Sequence, residues 1–343
     1  MIESAGILPS QLIEALIADG GLEAAGGIAP DQVQPASLDL RLGARAWRVR
    51  ASFLPRPAGT VAERVAELAM HELDLDGGAV LERGCVYIAE LQERARLPRG
   101  VSARANPKSS TGRLDVFVRL LTDGQPAFDD VAAGYQGPMY LEIAPQTFSV
   151  LARTGTRLNQ LRLRRGASAS LGVRAVGVDL SGEIAGFRAR RHAGVIDLDL
   201  EDGHDPADFW EPLTTRHGGL LLDPGEFYIL ASREEIEIPV LQAAEMTPID
   251  PSVGEFRVHY AGFFDPGFGT AEAGGEGSRA VLEVRSHETP FLLFPARTRP
   301  DGGPPDLRSP RRAAGAAVRL GWIALPAAGP APGQALPSLV SLL

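Results

Sequence analysis

Cysteine is almost absent: Cys85 is the only one in 343 residues. No disulfide framework can therefore hold the fold, and no thiolate cluster can bind zinc. The six histidines, His71, His192, His204, His217, His259 and His287, show no metal-ligand spacing. Basic residues are in deficit, with 34 Lys and Arg against 43 Asp and Glu and a net charge of -9. That balance excludes the broad positive footprint of a general nucleic-acid or membrane-surface binder, so any anionic ligand must be held by a local patch of Lys and Arg. Nowhere do eighteen apolar residues follow one another, and Met1-Ile2-Glu3-Ser4 offers no basic region ahead of an apolar run. A soluble cytoplasmic protein is expected, without membrane or nucleic acid as a partner.

The 44% apolar content is enough for two domains of ordinary size to bury a core each. Residues 10–21 read as one short helix, with Ser10 as its cap and Gly20 and Gly21 as its stop. From Ser37 onward the pattern is one of short alternating segments punctuated by Gly, Pro and Asp. Leu38-Asp39-Leu40, Val86-Tyr87-Ile88, Val116-Phe117-Val118 and Tyr140-Leu141-Glu142 belong to such segments. Strands at this regular spacing predict a mainly β chain built as a sandwich or barrel.

An internal repeat is visible without reference to any other protein. Leu81, Gly84, Tyr87, Ile88, Pro98, Pro107, Leu141 and Glu142 recur at a constant offset of about 141 as Leu222, Gly225, Tyr228, Ile229, Pro239, Pro248, Leu282 and Glu283. Two copies of one domain are expected, with a boundary after Arg165-Gly166. The start of the second copy is less regular, and Ile196-Asp197-Leu198 is the expected counterpart of Leu38-Asp39-Leu40.

Asn106-Pro107-Lys108-Ser109-Ser110-Thr111-Gly112-Arg113 is short, polar and bracketed by two cations, so backbone N–H groups, hydroxyls and positive charge could converge on a phosphate. It is not a Walker loop, because the spaced glycines and the Gly-Lys-Ser/Thr ending are missing. Together with Gly134-Tyr135-Gln136-Gly137, Leu141-Glu142 and Gly155-Thr156-Arg157-Leu158-Asn159-Gln160-Leu161, this stretch resembles the dCTP deaminase and dUTPase superfamily. The opening Gln34-Pro35-Ala36-Ser37-Leu38-Asp39 is similar to the deaminase branch in its tandem-domain bacterial form. The resemblance implies two tandem dUTPase-like β-barrel or jelly-roll domains with a short N-terminal helix. Residues 1–166 would carry the phosphate motif, 167–294 the base hairpin and the Leu-Glu strand, and 295–343 an atypical tail.

The copies differ in what they retain. At the offset positions of Lys108, Ser109 and Ser110 the second copy has Ile249, Asp250 and Pro251, which offer an anion no cation. It does have Ala261-Gly262-Phe263-Phe264-Asp265-Pro266-Gly267, which resembles the hairpin that encloses the base in deaminases of this family; in the first copy Leu121-Thr122-Asp123-Gly124-Gln125-Pro126 is a poorer match. A composite site follows, in which Lys108, Ser109, Ser110 and Arg113 hold the nucleotide while Ala261, Phe263, Asp265 and Glu283 meet it from the second copy, with Gln160 as a further contact. The halves could join within one chain or across an oligomer.

The resemblance implies hydrolytic deamination of dCTP to dUTP and ammonia by a Glu that activates water without a metal. Glu283 is favoured over Glu142, and Arg113 and Ser109 are expected to orient the water. No cofactor is expected for the chemistry, with Mg²⁺ only as the triphosphate's counter-ion, and family members are trimers. A dUTP diphosphatase, a bifunctional enzyme and a catalytically impaired nucleotide-binding protein are the alternatives. Phe263 departs from the family, which often has an arginine there. On alternating strands an exposed carboxylate with no catalytic role is the default, a reading that weighs more on Glu142 than on Glu283. Beyond Phe294 the chain turns to Ala, Gly, Pro and Arg, a composition expected of a low-complexity segment. Codons chosen for Pro304 to Ala335 can spell the family's tail one nucleotide out of frame, so a shifted reading frame near Phe294 is expected.

Overall fold

The computed structural model describes residues 5–166, 170–200, 202–216, 218–247, 256–258, 262–286, 288–294 and 316–324. Strands dominate, as the alternating pattern predicts. The first copy is organised on a sheet whose path runs through Val116–Thr122, Gln136–Pro145, Val86–Arg96, Leu38–Val49, Arg157–Arg165, Val101–Pro107 and Asp130–Val131. The second copy has a five-stranded sheet in the order Trp210–Leu213, Gly186–Ala189, Phe227–Ile236, Ser278–Ser286, Phe256–Val258. Its other sheet runs Ser170–Gly177, Ala316–Ala324, Gln242–Thr247, Phe263–Phe264. Among the described residues no helix is long and apolar enough to cross a membrane.

The repeat is visible as identical strand register. Leu141, Glu142 and Ile143 pair with Ala89, Ile88 and Tyr87, while Leu282, Glu283 and Val284 pair with Leu230, Ile229 and Tyr228. Each copy buries its tyrosine in the same way. The Tyr87 hydroxyl accepts from the backbone N–H of Glu82 at 3.0 Å, and the Tyr228 hydroxyl from that of Asp223 at 2.7 Å.

Three expectations change. The helix spans Ser10–Ala18 with Pro9 as its extended N-cap, so Ser10 begins the first turn rather than capping it. Ile196–Asp197 is not the counterpart of Leu38-Asp39-Leu40, because it pairs with Val150 and Leu151 of the first copy. Strand pairing identifies the true match. Trp47 lies opposite Ile88 and Glu72, and Phe187 lies opposite Ile229 and Pro212, an offset of 140 that also brings Val178-Asp179-Leu180 onto Leu38-Asp39-Leu40. Finally, Ala316–Ala324 lies inside the tail expected to be low in complexity, yet it pairs on both sides, with Ser170–Gly177 and Gln242–Thr247. The rest of 295–343, and with it the reading-frame expectation, lies outside the described residues.

Candidate active site

The phosphate-motif stretch folds as a short helix, Ser109–Arg113, at the end of the strand Val101–Pro107. The Lys108 N–H bonds the Leu158 carbonyl at 3.0 Å, and the Gly112 N–H bonds the Lys108 carbonyl at 3.0 Å, which fixes the turn. Ser109 and Ser110 are exposed on it. Lys108 and Arg113 stand at opposite ends, roughly 8 Å apart at 1.5 Å per residue, and their surroundings differ.

At the Lys108 end, its ammonium is ion-paired with the buried Asp39 carboxylate. Burial raises the Asp39 carboxyl, and the charge of Lys108 opposes that rise. Gln160 is the register partner of Asp39 on the neighbouring strand, and its amide oxygen accepts from the Ser37 hydroxyl at 3.0 Å. The turn holding Phe263 and Asp265 arrives here through Arg162. That guanidinium lies 3.8 Å from the Phe263 ring centroid and donates to Asp265 Oδ1 at 3.2 Å and to the Ala244 carbonyl at 3.3 Å. Burial raises the Asp265 carboxyl, Arg162 opposes this, and the charge of Asp39 adds to the rise, so the two carboxylates share one electrostatic neighbourhood. Asp39 thus links Lys108 and Gln160, Arg162 links Phe263 and Asp265, and the charges of Asp39 and Asp265 couple the two groups. Ala261 lies outside the described residues.

At the other end, Arg113 borders a cavity of ≈ 160 Å³ whose remaining wall comes from the second copy, chiefly the strand residues Gly186, Phe187, Ile229, Ala231, Arg279 and Val281 together with Asp179 and Ile184 of the preceding loop. Arg279 is ion-paired with Asp179 on this wall. A Cβ on Gly186 would stand 2.5 Å from Leu230 Cδ2 and 2.6 Å from the Ile229 carbonyl, so the wall needs glycine here. Glu283 shares a strand face with Val281 and Arg279 and is 4% exposed. Burial pushes its carboxyl up to about 7, with the positive charge of Arg113 and a backbone N–H pulling the other way. Arg113 is itself lowered by burial, which Glu283 opposes, and its Nε and Nη1 are buried without a hydrogen-bond partner. A carboxyl poised near neutrality beside two unsatisfied donors is able to move a proton and to accept an oxygen ligand.

Glu142 is placed elsewhere. It is buried on the equivalent first-copy strand, raised by burial and opposed by a hydrogen bond from Ser52 and by the charge of Arg119. Sequence reasoning missed Arg162 and the pairing of Lys108 with Asp39. A signal existed for the first, since Arg162 is two residues beyond Gln160 and so on the same strand face.

Two family models match the chain: the N-terminal domain of 2'-deoxycytidine 5'-triphosphate deaminase over residues 4–167, and the C-terminal domain of the same enzyme over residues 147–298. The crystal structure of 2'-deoxycytidine 5'-triphosphate deaminase from Agrobacterium tumefaciens is similar with a TM-score of 0.85 and 49% identity, covering 94% of this chain and 100% of that one. A dCTP deaminase of Halorubrum lacusprofundi is 32% identical over 132 residues, 38% of this chain and 62% of its own length. A protein of Halobacterium salinarum named dCTP deaminase, dUMP-forming, is 33% identical over 140 residues, 40% of this chain and 69% of its own. The chain therefore spans less than two thirds of the first of these curated relatives.

Proposed function

The chain belongs to the dCTP deaminase family and has its mainly β, dUTPase-like fold, and from that premise we propose that it hydrolyses dCTP to dUTP and ammonia. The observation that carries this reading is the electrostatic coupling of Arg113 from one copy, which borders the cavity, with the buried Glu283 carboxyl from the other, two residues along the strand from the cavity-lining Val281. Water adds to the cytosine C4 carbon and gives one proton to the Glu283 carboxylate. The C4–N bond then breaks, Glu283 returns that proton to the amine leaving as ammonia, and the remaining hydroxyl proton passes to N3 to give uracil. The two free donors of Arg113, with the Ser109 hydroxyl, orient the water and stabilise the oxygen at C4. Lys108 and Ser110 hold phosphate oxygens, with Mg²⁺ as the triphosphate's counter-ion. Gln160, Ala261, Phe263 and Asp265 surround the nucleoside. The same reading keeps a homo-oligomer, a trimer or another assembly of tandem domains, as the working form, with Arg113 and Glu283 supplied by one chain. A cytoplasmic location suits a role in deoxynucleotide supply.

The dUMP-forming name of the Halobacterium salinarum relative favours a second reading, in which diphosphate is released as well. One experiment separates them: purified chain, dCTP and Mg²⁺, with ammonia and nucleotides followed by chromatography. Ammonia with dUTP is the expected result, and dUMP with diphosphate would establish the second reading. Binding of dCTP without ammonia would overturn both and leave a nucleotide-binding protein.

A further inference from the structure

Duplication would give each chain two cavities, yet the copies treat equivalent segments in opposite ways. Between matched strands, Leu38–Val49 and Ala69–Asp74 in the first copy and Gly186–Ala189 and Trp210–Leu213 in the second, runs a connecting segment of about twenty residues. In the second copy that segment leaves its own sheet. Ile196 pairs in parallel with Val150 of the first copy, and Phe209 packs edge-on against Phe148 with ring centroids 5.6 Å apart. The cavity beside Glu283 is left uncovered by it.

In the first copy the segment, residues 50–68, folds back. Trp47, Ile88 and Tyr140 match the cavity-lining Phe187, Ile229 and Val281 by strand register. Instead of lining a cavity, they pack in one apolar cluster with Phe53, Val61 and Val65. The segment is also tied to the loop that corresponds to the base hairpin: the Val61 N–H donates to Asp123 Oδ1 at 2.8 Å and the Gly124 N–H to the Gly59 carbonyl at 3.0 Å. Glu142, the counterpart of Glu283, is 3% exposed, and its Oε2 has no hydrogen-bond partner.

We infer that residues 50–68 are a built-in occupant of the first copy's duplicated site, so that each chain offers one nucleotide site rather than two. The occupant supplies what a ligand would: apolar surface over Ile88 and Tyr140, and hydrogen bonds to the hairpin loop. The word nucleotide in this inference rests on the deaminase reading, whereas the occupancy itself does not.

The test has two arms. Titration calorimetry of dCTP into the Glu283→Gln chain, which holds substrate without turning it over, should give one nucleotide per chain; two would overturn the inference. The second arm needs no nucleotide. Phe53→Ala with Val65→Ala should lower the melting midpoint by several degrees and make the amides of 61–68 exchange faster, as removal of core side chains does. An unchanged midpoint, with those amides already exchanging fast in the parent chain, would overturn it. Should the double variant fail to fold, Val65→Ala alone gives the same reading. A chain that binds no dCTP but loses stability in the second arm would sink the proposed function and leave the occupied site standing.

Discussion

Glu283 and Arg162 carry the sharpest expectations for single side chains. A base must be ionised to take a proton, so kcat/KM for dCTP should rise with pH through about 7 and level off above it. Glu283→Gln should lower the rate by about 10²–10⁴ and flatten that limb. The same carboxyl affects stability. Below its ordinary value of 4.5 it is protonated in both the folded and the unfolded chain; between 4.5 and about 7 only the unfolded chain ionises it. Stability therefore falls as pH rises through this window and is constant above it, by on the order of 3 kcal/mol. Glu283→Gln should accordingly melt higher than the parent at pH 8 and alike at pH 4. Arg162→Met leaves Asp265 without its cation and should cost about 3–5 kcal/mol in denaturant unfolding. Replacing both residues by apolar ones should recover most of that loss, since the pair then leaves no buried charge behind.

Among the elements, the helix Val61–Leu68 depends on its ends. Thr60 caps it, with Glu63 reaching back to the Thr60 N–H at 2.8 Å. Thr60→Ala should cost about 1 kcal/mol and speed amide exchange through residues 61–68. On the cavity wall, Gly186→Ala pushes a methyl against the Ile229 carbonyl, which cannot rotate away. A fall in kcat/KM for dCTP of at least about tenfold is expected; unaltered kinetics in a folded variant would show that substrate does not use this cavity. The elements differ in how readable they were. The strand signals were plain because alternation is local, and the Thr60–Glu63 capping box was also present in the sequence although the helix was not foreseen. The strand Ala316–Ala324 had no such signal, because pairing on both edges holds a segment whose composition alone suggests nothing.

Across the whole molecule, ion pairs join the copies. Arg285 of the second copy bonds the buried Asp115 carboxylate and the Thr147 hydroxyl of the first. Arg153 of the first copy holds Asp197 of the connecting segment at 2.5 and 2.8 Å, keeping that carboxyl down at about 2. A lowered carboxyl contributes stability above its unfolded value of 3.8 that is lost as pH falls toward 2. Amides near Ile196 should therefore lose exchange protection between pH 4 and pH 2, and Arg153→Gln should remove that pH dependence. Protection that is indifferent to pH would mean the apolar seat of Phe209 on Phe148 holds the segment without the ion pair.

The residue order alone determined the β class and the duplication, because strand alternation, turn residues and repeated motifs are short-range properties of a chain. It also favoured Glu283 over Glu142 through the neighbouring hairpin residues. Only the tertiary structure decided that the charges of Arg113 and Glu283 act on each other across 170 positions of sequence within one chain, that Arg162 stacks on Phe263, and that Phe53, Val61 and Val65 pack on the first copy's own sheet while Ile196 and Phe209 of the second pack on Val150 and Phe148. Those outcomes depend on which apolar surfaces find each other when two similar sheets pack, and no local pattern specifies that choice.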